Sequence, residues 1–195
     1  MELLEGETLA ARLRRAGPLA LTHAEPVIDQ LLDGLEAIHD AGIVHRDLSP
    51  ANIMLLPGRA VIMDFGLAAL IGQPAGETAG TLDYMAPELL EGHPSAVPAD
   101  VYSLGGILHE MLSGHRPSAG LPPGHGWPLD WVRAIRAALS TDPALRPAST
   151  MALRNLLADP LPLPLRPVPR LPVPRLPRQR RPAALRHSSR ATGRR

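Results

Sequence analysis

Cysteine and lysine are both absent from the 195 residues, and the aromatic side chains amount to one Phe, two Tyr and two Trp. Without cysteine there can be no disulfide, no thiolate zinc site and no thiol nucleophile. The eight histidines show none of the paired helical spacing of a metal site and read as surface or capping residues. No run of about 18 apolar residues occurs, so no membrane-spanning helix is expected. The opening Met1-Glu2-Leu3-Leu4-Glu5 is acidic where a secretory signal would be basic and then apolar, which points to a cytoplasmic location.

What remains is ordinary for a soluble globular domain: 45% apolar and 20% charged residues, in a length sufficient for one well-buried core. The charge is unevenly placed. All 19 acidic residues lie in residues 1–159 with ten Arg, whereas 161–195 holds ten Arg and no acid. The boundaries expected are therefore a domain over 1–159 and a Pro/Arg-rich tail over 160–195. Eight of the 23 prolines fall in residues 161–195, which removes backbone donors, favours polyproline II and leaves no core, so disorder is expected there. Its charge could attract nucleic acid or anionic lipid, and the stretch from Arg166 to Pro172 resembles a ligand of proline-recognising domains. A solvated linker, or an out-of-frame extension of GC-rich DNA, ranks ahead of these, and nucleic acid is not expected as a partner.

Along the domain, Val27, Ile28, Leu31, Leu32, Leu35 and Ile38 recur at helical spacing as far as Gly42, and Thr22 with Glu25 has the form of a capping box. Ile43-Val44, Ile53 to Leu56 and Ala60 to Met63 read as short strands, with a turn at Pro57-Gly58. Leu67 to Met85 reads as a loop. Ala99 to Ser113 is helical in pattern despite Gly105-Gly106, a pair that implies close packing of another element. Arg116 to Pro128 reads as loop, Leu129 to Leu139 as a short helix, and Ser149 as the cap of a last helix ending near Ala158.

The chemistry is concentrated in His45-Arg46-Asp47-Leu48-Ser49-Pro50-Ala51-Asn52, followed by Asp64-Phe65-Gly66. Phosphoryl transfer needs a carboxylate to orient the attacking hydroxyl and further oxygen ligands to hold magnesium on the nucleotide phosphates. Asp47 fits the first role, and Asn52 and Asp64 the second. Their order and spacing are those of the protein-kinase signature. Gly80-Thr81-Leu82-Asp83-Tyr84-Met85-Ala86-Pro87-Glu88, Asp100 to Gly105, and Asp142 to Pro147 extend the match. The chain resembles the large lobe of bacterial-type serine/threonine protein kinases, from Met1 to about Ala158.

That resemblance implies an α+β, kinase-like fold, mainly helical, with short strands around the catalytic loop and no small lobe. It implies ATP and Mg2+ as cofactors and a protein as substrate. Glu88 should pair with Arg146, Asp100 should bind the catalytic-loop backbone, and His45 and Phe65 should pack together. Arg46 resembles part of a pocket for an activation-loop phosphate, with Thr78 the candidate acceptor, and Thr81 the Thr that contacts the catalytic Asp in Ser/Thr-specific members. Met1 to Leu9 looks like the hinge, with Met1 as gatekeeper, the Glu2 and Leu4 backbone facing adenine, Glu7 near ribose and Met54 on the adenine floor. Ser49 stands where the family usually has a Lys that touches the transferring phosphate. The family's glycine-rich loop and its upstream Lys and Glu have no counterpart here, so weak or absent activity of the chain alone is expected. The alternative reading is a non-catalytic kinase-fold module that binds partners through an uncovered apolar cleft.

Overall fold

A computed structural model of the chain describes residues 6–73, 82–117 and 126–158. The chain divides into Met1–Leu161 and Pro162–Arg195, and all described residues belong to the first unit. The tail and its expected disorder lie outside them.

The first strand, β1 (Glu7–Thr8), runs straight into α1 (Leu9–Ala16). Thr8 caps that helix, its Oγ1 accepting from Ala11 N at 3.2 Å, and Gly17 ends it at φ 71°, with its N–H donating to Leu13 O. A left-handed residue at this position is what glycine supplies without steric cost. Leu9 and Leu13, one helical turn apart, are both buried.

Helix α2 (Leu21–Asp40) buries Ile28, Leu31, Leu32 and Leu35, while Val27 and Ile38 pack at the margin of the same core. The Thr22–Glu25 capping box does not form, because the helix starts earlier: Ala20 is the N-cap and Thr22 is already helical. A tertiary tether replaces the cap, since Leu19 N donates to Met111 O at 2.7 Å and so fixes the entry to α2 against another helix.

Strands β3 (Ile53–Leu56) and β4 (Arg59–Ile62) form the hairpin expected around Pro57-Gly58, and β1 adds to the free side of β3. The pairing is antiparallel, with Thr8 opposite Met54 and Ile53 opposite Ile62. A second ladder pairs β2 (Ile43–Val44) with β5 (Ala69–Leu70), so the stretch read as loop from Leu67 contains a short strand.

After the four-residue helix α3 (Pro87–Leu90), the long α4 (Val97–Ser113) begins two residues before the expected start, with Pro98 in its first turn. It is buried on nearly every side. Leu104, Ile107, Leu108 and Met111 meet α2, α5 (Leu129–Ala138) and α6 (Thr150–Ala158) in one continuous core. Gly105 explains itself in this setting: a Cβ there would lie 2.7 Å from Ala138 Cβ. Ser149 Oγ accepts from Ala152 N at 3.1 Å, capping α6.

Candidate active site

The fold brings the His45–Asn52 loop and the Asp64 turn together through the β3–β4 hairpin. Asn52 and Met63 flank the hairpin's open end, and Met63 N donates to Asn52 O at 2.8 Å. His45 Nε2 donates to Met63 O at 3.0 Å, and its ring lies 5.0 Å from that of Phe65, centroid to centroid. Asp47 and Asp64 therefore leave the backbone on either side of a hydrogen-bonded seam.

Asp100, on α4, sits beneath the loop with its carboxylate fully buried. Oδ2 accepts from His45 N at 2.8 Å and Oδ1 from Arg46 N at 3.0 Å. Those bonds hold Arg46 at φ 70°, a left-handed conformation that side-chain-bearing residues rarely adopt. A third donor, His39 Nε2, reaches Oδ2 at 2.8 Å. Three N–H groups on one buried carboxylate satisfy a charge that would otherwise be costly to bury.

Asn52 donates both protons of Nδ2 to Asp47, one to the backbone O at 2.8 Å and one to Oδ2 at 3.0 Å. That network fixes the amide's orientation and leaves the Oδ1 oxygen as an acceptor pointing elsewhere. Asp64 is exposed, lies at φ 60°, and accepts Gly66 N on Oδ1 at 3.1 Å. An amide oxygen and an exposed carboxylate are the hard oxygen donors that Mg2+ prefers, so these two residues fit the ion. Among the described residues no group of three or more His, Cys, Asp or Glu could hold a metal.

Ser49 departs from this group. Its side chain is buried at 1% exposure and its Oγ has no hydrogen-bond partner among the described residues. Ser49 thus differs from Asp64, which is exposed.

Arg46 Nη2 donates to Gln73 O at 3.1 Å, and its Nε bonds the buried Ser95 Oγ. Glu7 is bound to Arg15, and that hydrogen bond holds its carboxyl below the usual range. Its charge is already matched within the chain. Met54 is half-buried in β3. Met1, Glu2, Leu4, Thr78 and Thr81 lie outside the described residues.

Further from the loop, Arg146 grips Glu88 through Nη1 and Nη2 at 2.6 and 2.7 Å. Tyr84 donates its hydroxyl to Glu110, and burial, assisted by that bond, pushes the phenol well above its usual range. His39, Ser95 and Gln73 were not legible as site residues. The local signal that could have found His39 is a histidine in the last turn of the helix leading into the loop.

Comparison with known proteins identifies relatives of the chain. The protein kinase domain family matches residues 1–124. The serine/threonine-protein kinase PknA of Mycobacterium tuberculosis is 45% identical over 125 residues, 62% of this chain and 29% of the relative. PkaB of Streptomyces coelicolor is 42% identical over 137 residues, 64% of this chain and 33% of the relative. PknE of M. tuberculosis is 37% identical over 164 residues, 81% of this chain and 28% of the relative. The chain thus spans a third or less of the length of these curated relatives. A match covering well over half of the chain, on the residues that build the Asp47–Asn52–Asp64 seam, means that this chain belongs to the protein kinase domain family.

Proposed function

We propose that the chain is the large lobe of a serine/threonine protein kinase, carrying the residues that transfer the γ-phosphoryl group of ATP to a Ser or Thr hydroxyl of a protein. The observation that carries this reading is the Asn52 amide, whose two protons are both committed to Asp47. One side chain thereby holds the carboxylate that would orient the hydroxyl and frees an oxygen for the metal. Asp47 orients the attacking hydroxyl and takes up its proton. Asn52 Oδ1 and the Asp64 carboxylate are the groups that would hold Mg2+, which when bound neutralises charge on the phosphate oxygens.

The strength of that activity in these 195 residues alone is a separate matter. The sequence contains no lysine, so a phosphate-pairing lysine of the kind kinases use must come from elsewhere. Charge-assisted bonds contribute about 1.5–3 kcal/mol each. Loss of a lysine contact and of several glycine-loop N–H contacts weakens binding or rate by roughly 5 kcal/mol, more than about three decades. We therefore expect weak turnover of the isolated chain. Calorimetry with Mg-ATP on the chain and on Asp64→Ala, beside phosphate transfer from radiolabelled ATP by the chain and by Asp47→Asn, tests both parts. Metal-dependent binding lost in Asp64→Ala, with slow transfer lost in Asp47→Asn, is the expected result. Turnover at ordinary kinase rates would refute the weak-activity part, and binding that ignores Asp64→Ala would refute the assignment.

A second reading has its own observation. Phe65 is 48% exposed and borders a groove with Ile38, Val61 and Ile62. An apolar surface of this kind suits a non-catalytic interaction module. A monomeric chain that binds no hydrophobic dye at this groove would count against it.

A further inference from the structure

Beyond Asp64 the chain is fastened step by step. Ala69 and Leu70 pair with Val44 and Ile43, and Ile71 N donates to Gly42 O at 2.9 Å. The next contacts belong to one residue, Ser95, which lies just before α4 and is fully buried. Its carbonyl accepts from Gly72 N at 2.8 Å, and its N–H donates to Gln73 O at 3.0 Å. Its hydroxyl accepts from Arg46 Nε, and Arg46 Nη2 closes the circle on Gln73 O at 3.1 Å. Gly72 and Gln73 are thus held between Ser95 and the side chain next to Asp47. The hydroxyl and the carbonyl that take these two guanidinium donors are both neutral. A phosphate would take them more strongly, but a hydroxyl is part of the chain at all times and waits for no modification.

We propose that Ser95 is a positioning residue that fastens the segment after Asp64 to the Asp47 loop through the Arg46 side chain, and that this fastening needs no phosphate on the chain. The hydroxyl holds the guanidinium by its Nε edge, and the planar group then aims Nη2 at Gln73 O. Without the hydroxyl, Arg46 loses the bond that fixes its plane, and Gln73 O keeps the Ser95 amide alone. Gly72 then parts more often from Ser95 O, and the stretch that leads back to Asp64 is held only by its pairing with β2. The proposal rests on the phosphoryl-transfer reading for its catalytic consequence, although the bonds themselves do not.

The test uses the full 195-residue chain, labelled with 15N, treated with phosphatase and shown by mass to carry no phosphate. Amide hydrogen exchange is read at Gly72, whose sequence neighbours no variant alters, against Ile107 and Leu108 in α4. Gly72 is expected to be protected in this phosphate-free chain. Ser95→Ala removes the hydroxyl and should accelerate its exchange by about tenfold or more, the effect of one charge-assisted bond, while α4 stays unchanged. If Ser95→Ala fails to fold, Ser95→Cys carries the same reading, being close in size with a much weaker acceptor. A double-mutant cycle separates the contact from a merely structural role. In an Arg46→Asn background, which tolerates the left-handed backbone, Ser95→Ala should add little further acceleration. In Mg-ATP phosphate-transfer assays Ser95→Ala should lower kcat with little change in the KM for ATP, and again add little beside Arg46→Asn. Free exchange at Gly72 in the phosphate-free chain overturns the proposal. So do unchanged exchange in the Ser95 variants, full additivity in the cycle, and equal acceleration throughout α4. The expected exchange pattern in a chain that shows no transfer in any form supports the positioning role and overturns the transfer reading instead.

Discussion

Arg146 has five N–H donors, and each has a described acceptor. Nη1 serves Glu88 Oε1 and Pro98 O, Nη2 serves Glu88 Oε2 and Thr141 O, and Nε serves Ser140 O at 2.7 Å. The guanidinium also lies 4.8 Å from the centre of the Tyr102 ring. One side chain thus ties α3, the start of α4 and the turn before α6. Lysine could not reproduce this set, having three donors and no plane. Arg146→Ala would strand the Glu88 carboxylate and several carbonyls and should destabilise the fold by about 3 kcal/mol or more, with Arg146→Lys recovering only part. Urea denaturation midpoints of the two variants check the ordering, and a loss under about 1 kcal/mol in Arg146→Ala would mean that solvent replaces these bonds readily. At this scale the residues of the loop were legible because phosphate chemistry restricts which side chains can serve. His39 and Ser95 were not, since their importance lies in what they touch across long sequence separations.

Among the elements, α2, α4, α5, α6 and the β3–β4 hairpin were legible because each has a clean period and flanking turn residues. Helix α1 and strand β5 were not. The local signals for α1 are the Thr8 cap, the Leu9–Leu13 pair and Gly17, spread over only eight helical residues. Strand β5 is two residues long and exists only because Ile43-Val44 lies beside it, a fact about distant pairing that no local pattern contains. The glycines inside helices separate propensity from packing in a testable way. Gly34 and Gly105 would each gain about 1 kcal/mol of helix propensity as alanine. At Gly34 the nearest atom to a new Cβ is Ile62 Cδ1 at 3.3 Å, the free end of a flexible side chain. At Gly105 it is Ala138 Cβ at 2.7 Å, which can move only with its helix. Gly34→Ala should be neutral or stabilising, and Gly105→Ala destabilising by about 1–3 kcal/mol through overpacking. Thermal melts of the two variants decide it, and a stabilised Gly105→Ala would show that α5 can shift away from α4 at little cost.

For the molecule as a unit, the core carries a pH dependence that arises far from the candidate active site. His109 is fully buried in α4, edge-on to Trp127 with ring centroids 6.1 Å apart. Neither of its ring nitrogens has a hydrogen-bond partner among the described residues. Burial pushes the imidazole below the usual histidine range, an effect that the backbone of His115 opposes and the His115 side chain adds to. In the unfolded chain the same ring titrates near about 6.5. Above that value both states hold it neutral, and it contributes no pH dependence. Below that value the unfolded state takes up a proton that the folded state refuses, so stability falls as pH falls until the lowered folded pKa is passed. The slope from this one group is at most about 1.4 kcal/mol per pH unit. Replacement by Phe keeps an aromatic ring against Trp127 and removes the titration. His109→Phe should therefore match the parent chain's pH dependence above about pH 7 but lose less stability between about pH 6.5 and 5. Urea midpoints at several pH values in that window measure the difference, and parallel curves for the two proteins would place the acid sensitivity of the fold in other groups.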